Sequence, residues 1–293
     1  MAVYTEVSPA EASALLQALK LGKLVDMQGC AGGIENTNYF VTSEKDGISH
    51  DHVLTLFERL SFEQLPFYLR LMQHLAHKGI PVPDPQPNRD GDLVFSLKGK
   101  PTALVNRLRG HSELAPGLAH CHAMGQTLAR MHLAGRDFNM HQGNLRGLDW
   151  WNETVPVILP HLDAAQATLV RAELAFQNHV AAQSAYAALP RGPIHADVFR
   201  DNVLFDSVDG VLTLTGIFDF YFAGVDTWLF DLAVCLNDWC VDAATGAERP
   251  LLRQALLQAY ESVRPLNAAE RQLLPAMLRA GADKIAINTA ATQ

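Results

Sequence analysis

Two spacings of apolar residues alternate along the chain, and they divide it into a strand-rich first part and a helix-rich second part. Ser8-Pro9-Ala10-Glu11 has the form of a capping box with proline in the first helical turn, and Ala12 to Lys20 carries a helical apolar face that stops at Gly22. Lys23 to Gln28, Thr37 to Thr42 and His52 to Glu58 have the spacing and composition of strands. Leu65 to His77 returns to helical spacing, with Leu65, Leu69, Met72, Leu75 and Ala76 near one face and Lys78-Gly79 as its end. The proline-rich run Ile80 to Pro87 is excluded from helix and predicts an extended link; Asp92 to Leu97 and Pro101 to Leu108 predict a hairpin.

Beyond that hairpin, Met124, Leu128 and Met131 predict a buried helix over His120 to Ala134, followed by a loop at Gly135 to Met140. Leu162 to Leu189 is alanine-rich and predicts one long helix, broken by Pro190-Arg191-Gly192-Pro193. Asn202 to Phe205 and Val211 to Phe220 are strand-like runs around the turn residues Asp206 to Gly210, and Asp231 to Cys240 has helical spacing again. The pattern predicts an α+β protein, with strands and one helix first and then helices framing a late hairpin.

The candidate chemistry lies around the late hairpin. His195-Ala196-Asp197-Val198-Phe199-Arg200-Asp201-Asn202 runs into its first strand, and Phe218-Asp219-Phe220 closes its second. In an antiparallel hairpin the start of one strand lies beside the end of the other, so Asn202 and Asp219 are expected side by side. Two oxygen ligands at one point suit a magnesium ion that keeps its other places for waters and phosphate oxygens. Asp197, in the preceding loop, is placed to accept a proton from a substrate hydroxyl, and His195 to brace that loop. H-x-D-x-x-x-x-N with a later aspartate is the pattern of a phosphoryl-transfer centre. The structural alternative is that these residues are ordinary turn and cap residues before a hairpin.

The run His195 to Asp206, then Asp219-Phe220-Tyr221-Phe222, then Asp231 to Cys240 resembles the homoserine kinases of the aminoglycoside-phosphotransferase-like, protein-kinase-like family. The resemblance extends from near the N-terminus to Leu278 and includes Gly32 to Phe40 and Val53 to Glu58. It implies a β-rich nucleotide-binding lobe, 1–107, and a mainly helical catalytic lobe, 108–278, with ATP and Mg2+, and it leaves 279–293 as an atypical tail. The implied reaction is phosphorylation of the side-chain hydroxyl of L-homoserine to O-phospho-L-homoserine, a step of threonine biosynthesis. A second reading keeps the mechanism and changes the acceptor to an aminoglycoside, choline or a sugar. A third, from another class, is a nucleotide-binding pseudoenzyme or an inactive truncated fragment.

Within this reading Gly29, Gly32 and Gly33 form a loop whose backbone amides approach phosphates without a β-carbon in the way, although a plain flexible turn has the same composition. Val105 to Arg107 is the expected hinge, where Val105 and Arg107 meet the adenine edge or simply form an edge strand. Thr55 stands where protein-kinase relatives carry a strand lysine, which leaves Arg59, the loop amides and the metal to neutralise phosphate charge. A free amino acid needs an arginine for its carboxylate and an acid for its ammonium group; Arg200 and Asp238 are the candidates, each also readable as half of an ion pair. Tyr221, Asp226 and Asn237 lie where acceptor choice is expected. Asp231 either caps its helix or braces the catalytic loop.

Composition removes other classes. With 293 residues, a net charge of -8 and 48% hydrophobic residues, the chain is large enough for a substantial core and lacks the clustered basic face of a nucleic-acid binder. No apolar run is long enough to span a bilayer and no targeting segment opens the chain, so a cytoplasmic, small-molecule enzyme is expected. Cys30, Cys121, Cys235 and Cys240 lack metal or disulfide spacing, and His74, His77, His120 and His122 lack a third ligand nearby. The tail Arg279 to Ala291 departs from the family and resembles a barrel-strand segment of the cyclase subunit of imidazole glycerol phosphate synthase. That reading predicts a truncated C-terminal lobe with Ile285 and Ile287 only partly covered, and a chain that is marginally stable or self-associating; the oligomeric state itself is not legible.

Overall fold

A computed structural model of the chain describes residues 4–30, 35–242 and 244–291, with side chains as far as Ala282. The chain divides into two compact units, Met1–Arg109 and Gly110–Gln293.

In the first unit, α1 (Pro9–Ala18) begins in the expected capping box, with Ser8 and Glu11 each bonding the other's backbone N–H. Strands β1 (Lys23–Gly29), β2 (Asn36–Lys45) and β3 (Ile48–Phe57) form a meander, α2 (Leu65–His77) follows, and β4 (Phe95–Leu97) and β5 (Lys100–Asn106) complete an antiparallel sheet of order β1-β2-β3-β5-β4. Strict alternation along β2 turns Thr37, Tyr39, Val41 and Ser43 inward. Tyr39 and Val41 join Leu16 of α1 and Leu54, Leu56 and Leu104 of the sheet in one core. The proline-rich link lies along β5: Gln86 N–H donates to Leu104 O (2.8 Å) and Asn106 N–H to Asp84 O (3.2 Å).

The second unit is built on α3 (Leu118–Ala134), α4 (Leu148–Ile158), α5 (Ala164–Ala181), the short α6 (Ser184–Ala187), β6 (Arg191–Ile194), β7 (Val203–Val208), β8 (Val211–Ile217), β9 (Gly224–Thr227), α7 (Trp228–Trp239), α8 (Pro250–Val263) and α9 (Ala268–Ala291). Helices α3 and α8 meet at Gly125, where an added Cβ would sit 2.3 Å from the Leu256 carbonyl. Leu229, Leu232, Ala233, Cys235, Leu236 and Trp239 make α7 a fully buried helix.

Several elements differ from the sequence pattern. The run Leu162 to Leu189 is two helices, α5 and α6, separated at Ala182-Gln183. Pro190 to Pro193 does not merely break a helix: Arg191–Ile194 is a strand paired antiparallel to β9, and Gly192 is accommodated there because a Cβ would meet the Trp228 indole nitrogen at 2.8 Å. The hairpin turn is narrower than Asp206 to Gly210. Only Asp209 (φ 51°) and Gly210 (φ 77°) turn, both left-handed, which matches the strand twist and lets β7 run to Val208.

The tail shows the largest difference. Arg279 to Ala291 is not strand-like but continues α9, as its alanine content favours. Arg279 pairs with Glu173 of α5 (Nε to Oε2, 3.1 Å) and lies over Phe176, and Gly281 packs on α7, where a Cβ would meet the Asn237 amide at 2.9 Å. The side chains of Ile285 and Ile287 lie outside the described residues.

Candidate active site

Two ribbons frame the site. Ile194 of β6 pairs with Gly224 of β9, and Val203 of β7 pairs with Ile217 of β8. The loop 195–202 leaves the first ribbon and enters the second, while 218–223 makes the return crossing. The two crossings therefore run side by side, and hydrogen bonds seal them: Phe218 N–H donates to Asn202 O (3.0 Å), and the His195 Nε2–H donates to Phe218 O (2.9 Å).

The hydrogen bonds also fix the protonation of His195. Its Nδ1 accepts from Asp197 N–H (3.2 Å) while Nε2 faces a carbonyl, so the fully buried ring is neutral with its proton on Nε2. His195 thus holds Asp197 from one side. Asn202 holds it from the other: its Nδ2 donates to Asp197 O (2.9 Å) and Oδ2 (3.3 Å), which leaves Oδ1 as the atom that Asn202 presents to a ligand. Asp219 follows Phe218 at the same end of the hairpin, in a left-handed conformation (φ 65°, ψ 59°) that aspartate tolerates better than most residues. An amide oxygen and a carboxylate are hard donors of the kind Mg2+ takes when phosphates and waters fill its remaining places, so the residues present fit that ion.

The loop is fastened from below by α7. Asp231 is fully buried and accepts from His195 N–H (3.0 Å), Ala196 N–H (2.7 Å) and His132 Nε2–H (3.0 Å). It does not cap its helix; Thr227 does, with its hydroxyl accepting from Phe230 N–H (3.3 Å). Ala196 has φ 64°, a conformation that costs an alanine roughly 1–2 kcal/mol and that the bond to Asp231 helps to hold. Burial alone would raise the Asp231 carboxyl pKa, but the bonds from His132 and His195 outweigh it and hold it below the ordinary carboxylate value. Burial lowers the pKa of His132, which is therefore neutral, and its Nδ1 accepts a hydrogen bond from the Tyr260 hydroxyl (2.7 Å). Tyr260 in turn accepts from Arg264 Nε–H (2.8 Å), and Arg264 forms an ion pair with Glu270 at the start of α9. One polarised chain of bonds thus runs from α9 to the loop 195–202.

Arg200 and Asp238 are also together, but with each other. Asp238 Oδ2 accepts from Arg200 N–H (2.7 Å) and Nε–H (3.1 Å), and the guanidinium reaches Leu114 O (3.0 Å) and Val241 O (3.2 Å). The pair ties the loop to the end of α7. The Tyr221 hydroxyl pKa is pushed up by burial, then by the negative charge of Asp219. Asp226 accepts from Asn144 Nδ2 (2.9 Å) and Arg191 (3.3 Å), and Asn237 Nδ2 donates to Leu278 O (2.7 Å), so both fasten elements together. The sequence pattern offered no reading for Gln142 to Gly147, whose glycines resemble a plain loop; the structure seats this segment on β9 through Val225 N–H to Gln142 O (2.7 Å).

In the first unit, Gly29 ends β1 opposite Tyr39, while Gly32 and Gly33 lie outside the described residues. Val105 pairs with Val53, and Arg107 N–H donates to Asp51 O (2.9 Å) with its guanidinium 3.9 Å from the Phe40 ring centre. Thr55 donates to Asn38 Oδ1 (2.7 Å), and Arg59 pairs with Glu35 on the surface.

The model of the phosphotransferase enzyme (APH) family matches residues 26–266. The chain belongs to this family. Among other phosphotransferases, it is 59% identical over 282 residues to the homoserine kinase of Polaromonas naphthalenivorans (strain CJ2), covering 96% of this chain and 87% of the relative. It is 55% identical to the homoserine kinase of Ralstonia nicotianae (strain ATCC BAA-1114 / GMI1000), over 96% and 85% of the two chains. A structure of the amicoumacin kinase hAmiN in complex with AMP-PNP and Ca2+ shares the fold, with TM-score 0.69 and 18% identity over 94% of this chain and 86% of that one. The α+β kinase-like architecture expected from the sequence is thus the fold of the family. No described helix of this phosphotransferase is long and apolar enough to cross a membrane.

Proposed function

We propose that the chain transfers the γ-phosphoryl group of ATP to the side-chain hydroxyl of L-homoserine, giving ADP and O-phospho-L-homoserine in the cytoplasm. The observation that carries phosphoryl transfer is the doubly held Asp197, fixed by the neutral His195 ring and by Asn202 at the end of the hairpin that presents Asp219. The acceptor rests on the similarity to homoserine kinases at up to 59% identity along almost the whole chain.

In this reading Asp197 orients the homoserine hydroxyl and takes its proton as the new O–P bond forms. Asn202 Oδ1 and the Asp219 carboxylate hold Mg2+, which supplies positive charge to the phosphate oxygens when bound. The nucleotide role falls to the first unit. Gly29, Gly32 and Gly33 offer amides to phosphate; Val105 and Arg107 meet adenine through groups other than the Arg107 N–H already bonded to Asp51. Ion pairing of Arg200 with Asp238 assigns both to holding the catalytic loop, and Tyr221 to the wall beside Asp219.

An ADP-release assay with MgATP and a panel of L-homoserine, L-serine, choline and kanamycin tests the proposal. Homoserine is expected to give the highest kcat/KM. Faster turnover of any competitor overturns the acceptor, and ATP binding without turnover of any of them makes the chain a pseudoenzyme.

A further inference from the structure

An amino-acid acceptor brings a carboxylate to within a few bonds of its reacting hydroxyl, and a carboxylate leaving water for a protein site calls for a guanidinium. Among the described residues, six of the eleven arginines of the second unit have an acidic partner. Arg191 pairs with Asp226, Arg200 with Asp238, Arg253 with Glu248, Arg264 with Glu270, Arg271 with Glu261 and Arg279 with Glu173.

Arg146 is one of the other five, and its setting sets it apart. It is half-buried, and among the described residues it forms no ion pair and its only side-chain hydrogen bond is a long one of 3.5 Å to Leu145 O. Instead its guanidinium lies over two aromatic rings, 4.7 Å from the centre of Trp150 and 5.9 Å from that of Phe222. Cation–π contacts of this kind engage the positive charge without using up its N–H donors, which stay available to a ligand.

The backbone beneath it is held just as firmly. Arg146 N–H donates to Asn144 Oδ1 (3.0 Å), Arg146 O accepts from Trp151 Nε1 (3.1 Å), and Asn144 is anchored on Asp226 (2.9 Å). Gly224 allows this seating, since a Cβ there would lie 2.8 Å from Asn144 Cα. Phe222 ends the single helical turn that starts directly after Asp219. Three residues of chain place its Cα at most about 11 Å from that of Asp219. The guanidinium of Arg146 therefore lies over a ring carried by the same short segment as the proposed metal ligand.

We propose that Arg146, lying over Trp150 and Phe222, receives the α-carboxylate of the amino-acid acceptor and is a specificity-determining residue for it. The inference rests on the homoserine reading and goes beyond it, because it says which group distinguishes homoserine from an uncharged amino alcohol.

The test uses the full chain with L-homoserine and 3-aminopropan-1-ol, which keeps the amine and hydroxyl and lacks the carboxylate. The original chain is expected to favour homoserine strongly. In Arg146→Gln, with folding checked by thermal melting, KM for homoserine is expected to rise about 10- to 100-fold, the worth of a two-pronged charged hydrogen bond. KM for ATP should stay within about twofold, and the preference over 3-aminopropan-1-ol should collapse by the same factor. Arg146→Lys keeps the charge but loses the planar fork, and is expected to fall between the two. It also serves as the test if the glutamine variant does not fold. A homoserine KM unchanged in the variants overturns this assignment alone. An original chain that does not turn over homoserine overturns the acceptor reading and this assignment with it.

Discussion

Replacing Asp231 with asparagine tests whether the catalytic loop is held by charge and donor geometry or by shape alone. Three donors converge on the buried carboxylate: His195 N–H and His132 Nε2–H on Oδ2, and Ala196 N–H on Oδ1. Asparagine keeps the shape but has one oxygen and one NH2. If the NH2 faces Ala196, two donors oppose each other; if it faces His195 and His132, it meets two. His132 cannot simply move its proton to Nδ1, because that nitrogen already accepts from Tyr260, whose oxygen accepts from Arg264. The less costly orientation sets the new amide N–H against the Ala196 N–H and leaves both without an acceptor, each worth about 1–3 kcal/mol, and it weakens the remaining two bonds by removing their charge. Relief of the carboxylate's desolvation works in the opposite direction, but the lowered pKa of Asp231 shows that its partners outweigh burial. A net destabilisation of about 3 kcal/mol is expected, a large part of the stability of a typical domain. Ala196 would also lose the bond that helps hold its left-handed backbone, so turnover should fall at least about tenfold in a chain that is still folded. Urea unfolding gives the first number and initial rates at low temperature the second. A loss below about 1 kcal/mol with unchanged turnover would refute the reasoning.

Three further expectations follow from the same geometry. The His132 ring should remain neutral at about pH 6, where an ordinary histidine is mostly protonated, as read from its nitrogen chemical shifts. Its pKa is lowered on folding, so the unfolded chain binds the extra proton; its contribution to stability is complete above the unfolded value near 6.5 and declines as pH falls below it. A protonated ring at that pH would contradict the donor order assigned to it. Asp197→Asn should bind MgATP normally and lose about a hundred- to ten-thousand-fold in kcat, whereas Asp219→Ala should lose the magnesium dependence of nucleotide binding. Nucleotide titrations with and without magnesium separate the two roles, and unchanged dependence in Asp219→Ala would rule out the ligand assignment. Gly125→Ala would press a Cβ to 2.3 Å from the Leu256 carbonyl and 3.0 Å from Ala259 Cβ, so it should cost about 1–3 kcal/mol in urea unfolding; a neutral result would mean that α3 and α8 are not packed so closely.

Local signals in the sequence determined a good deal. The capping box before α1, the span of α2, the meander of the first sheet and the placing of Asn202 and Asp219 at one end of a hairpin all follow from neighbouring residues. Each depends on interactions between positions close in the chain or paired across a short turn, which is the range over which spacing and turn chemistry are informative. The partners of long-range side chains were not legible. Nothing within a few residues of Asp231 says that it accepts from the loop 35 and 36 residues earlier in the chain, nor that His132, 99 residues away, completes the set. The pairing of Arg200 with Asp238 was legible only as one of two uses for a charged pair; the fold chose it by bringing the end of α7 to the loop. The strand Arg191–Ile194 was hidden because proline and glycine read locally as breakers, and its partner β9 lies some thirty residues on. For the same reason Arg146 drew no attention: its surroundings are glycines and single aromatics, and only the seating of its loop on β9 brings Phe222 to the guanidinium. Sequence supplied the candidate reacting groups, while the tertiary structure decided which charges are paired with one another, because that depends on contacts between residues far apart in the chain.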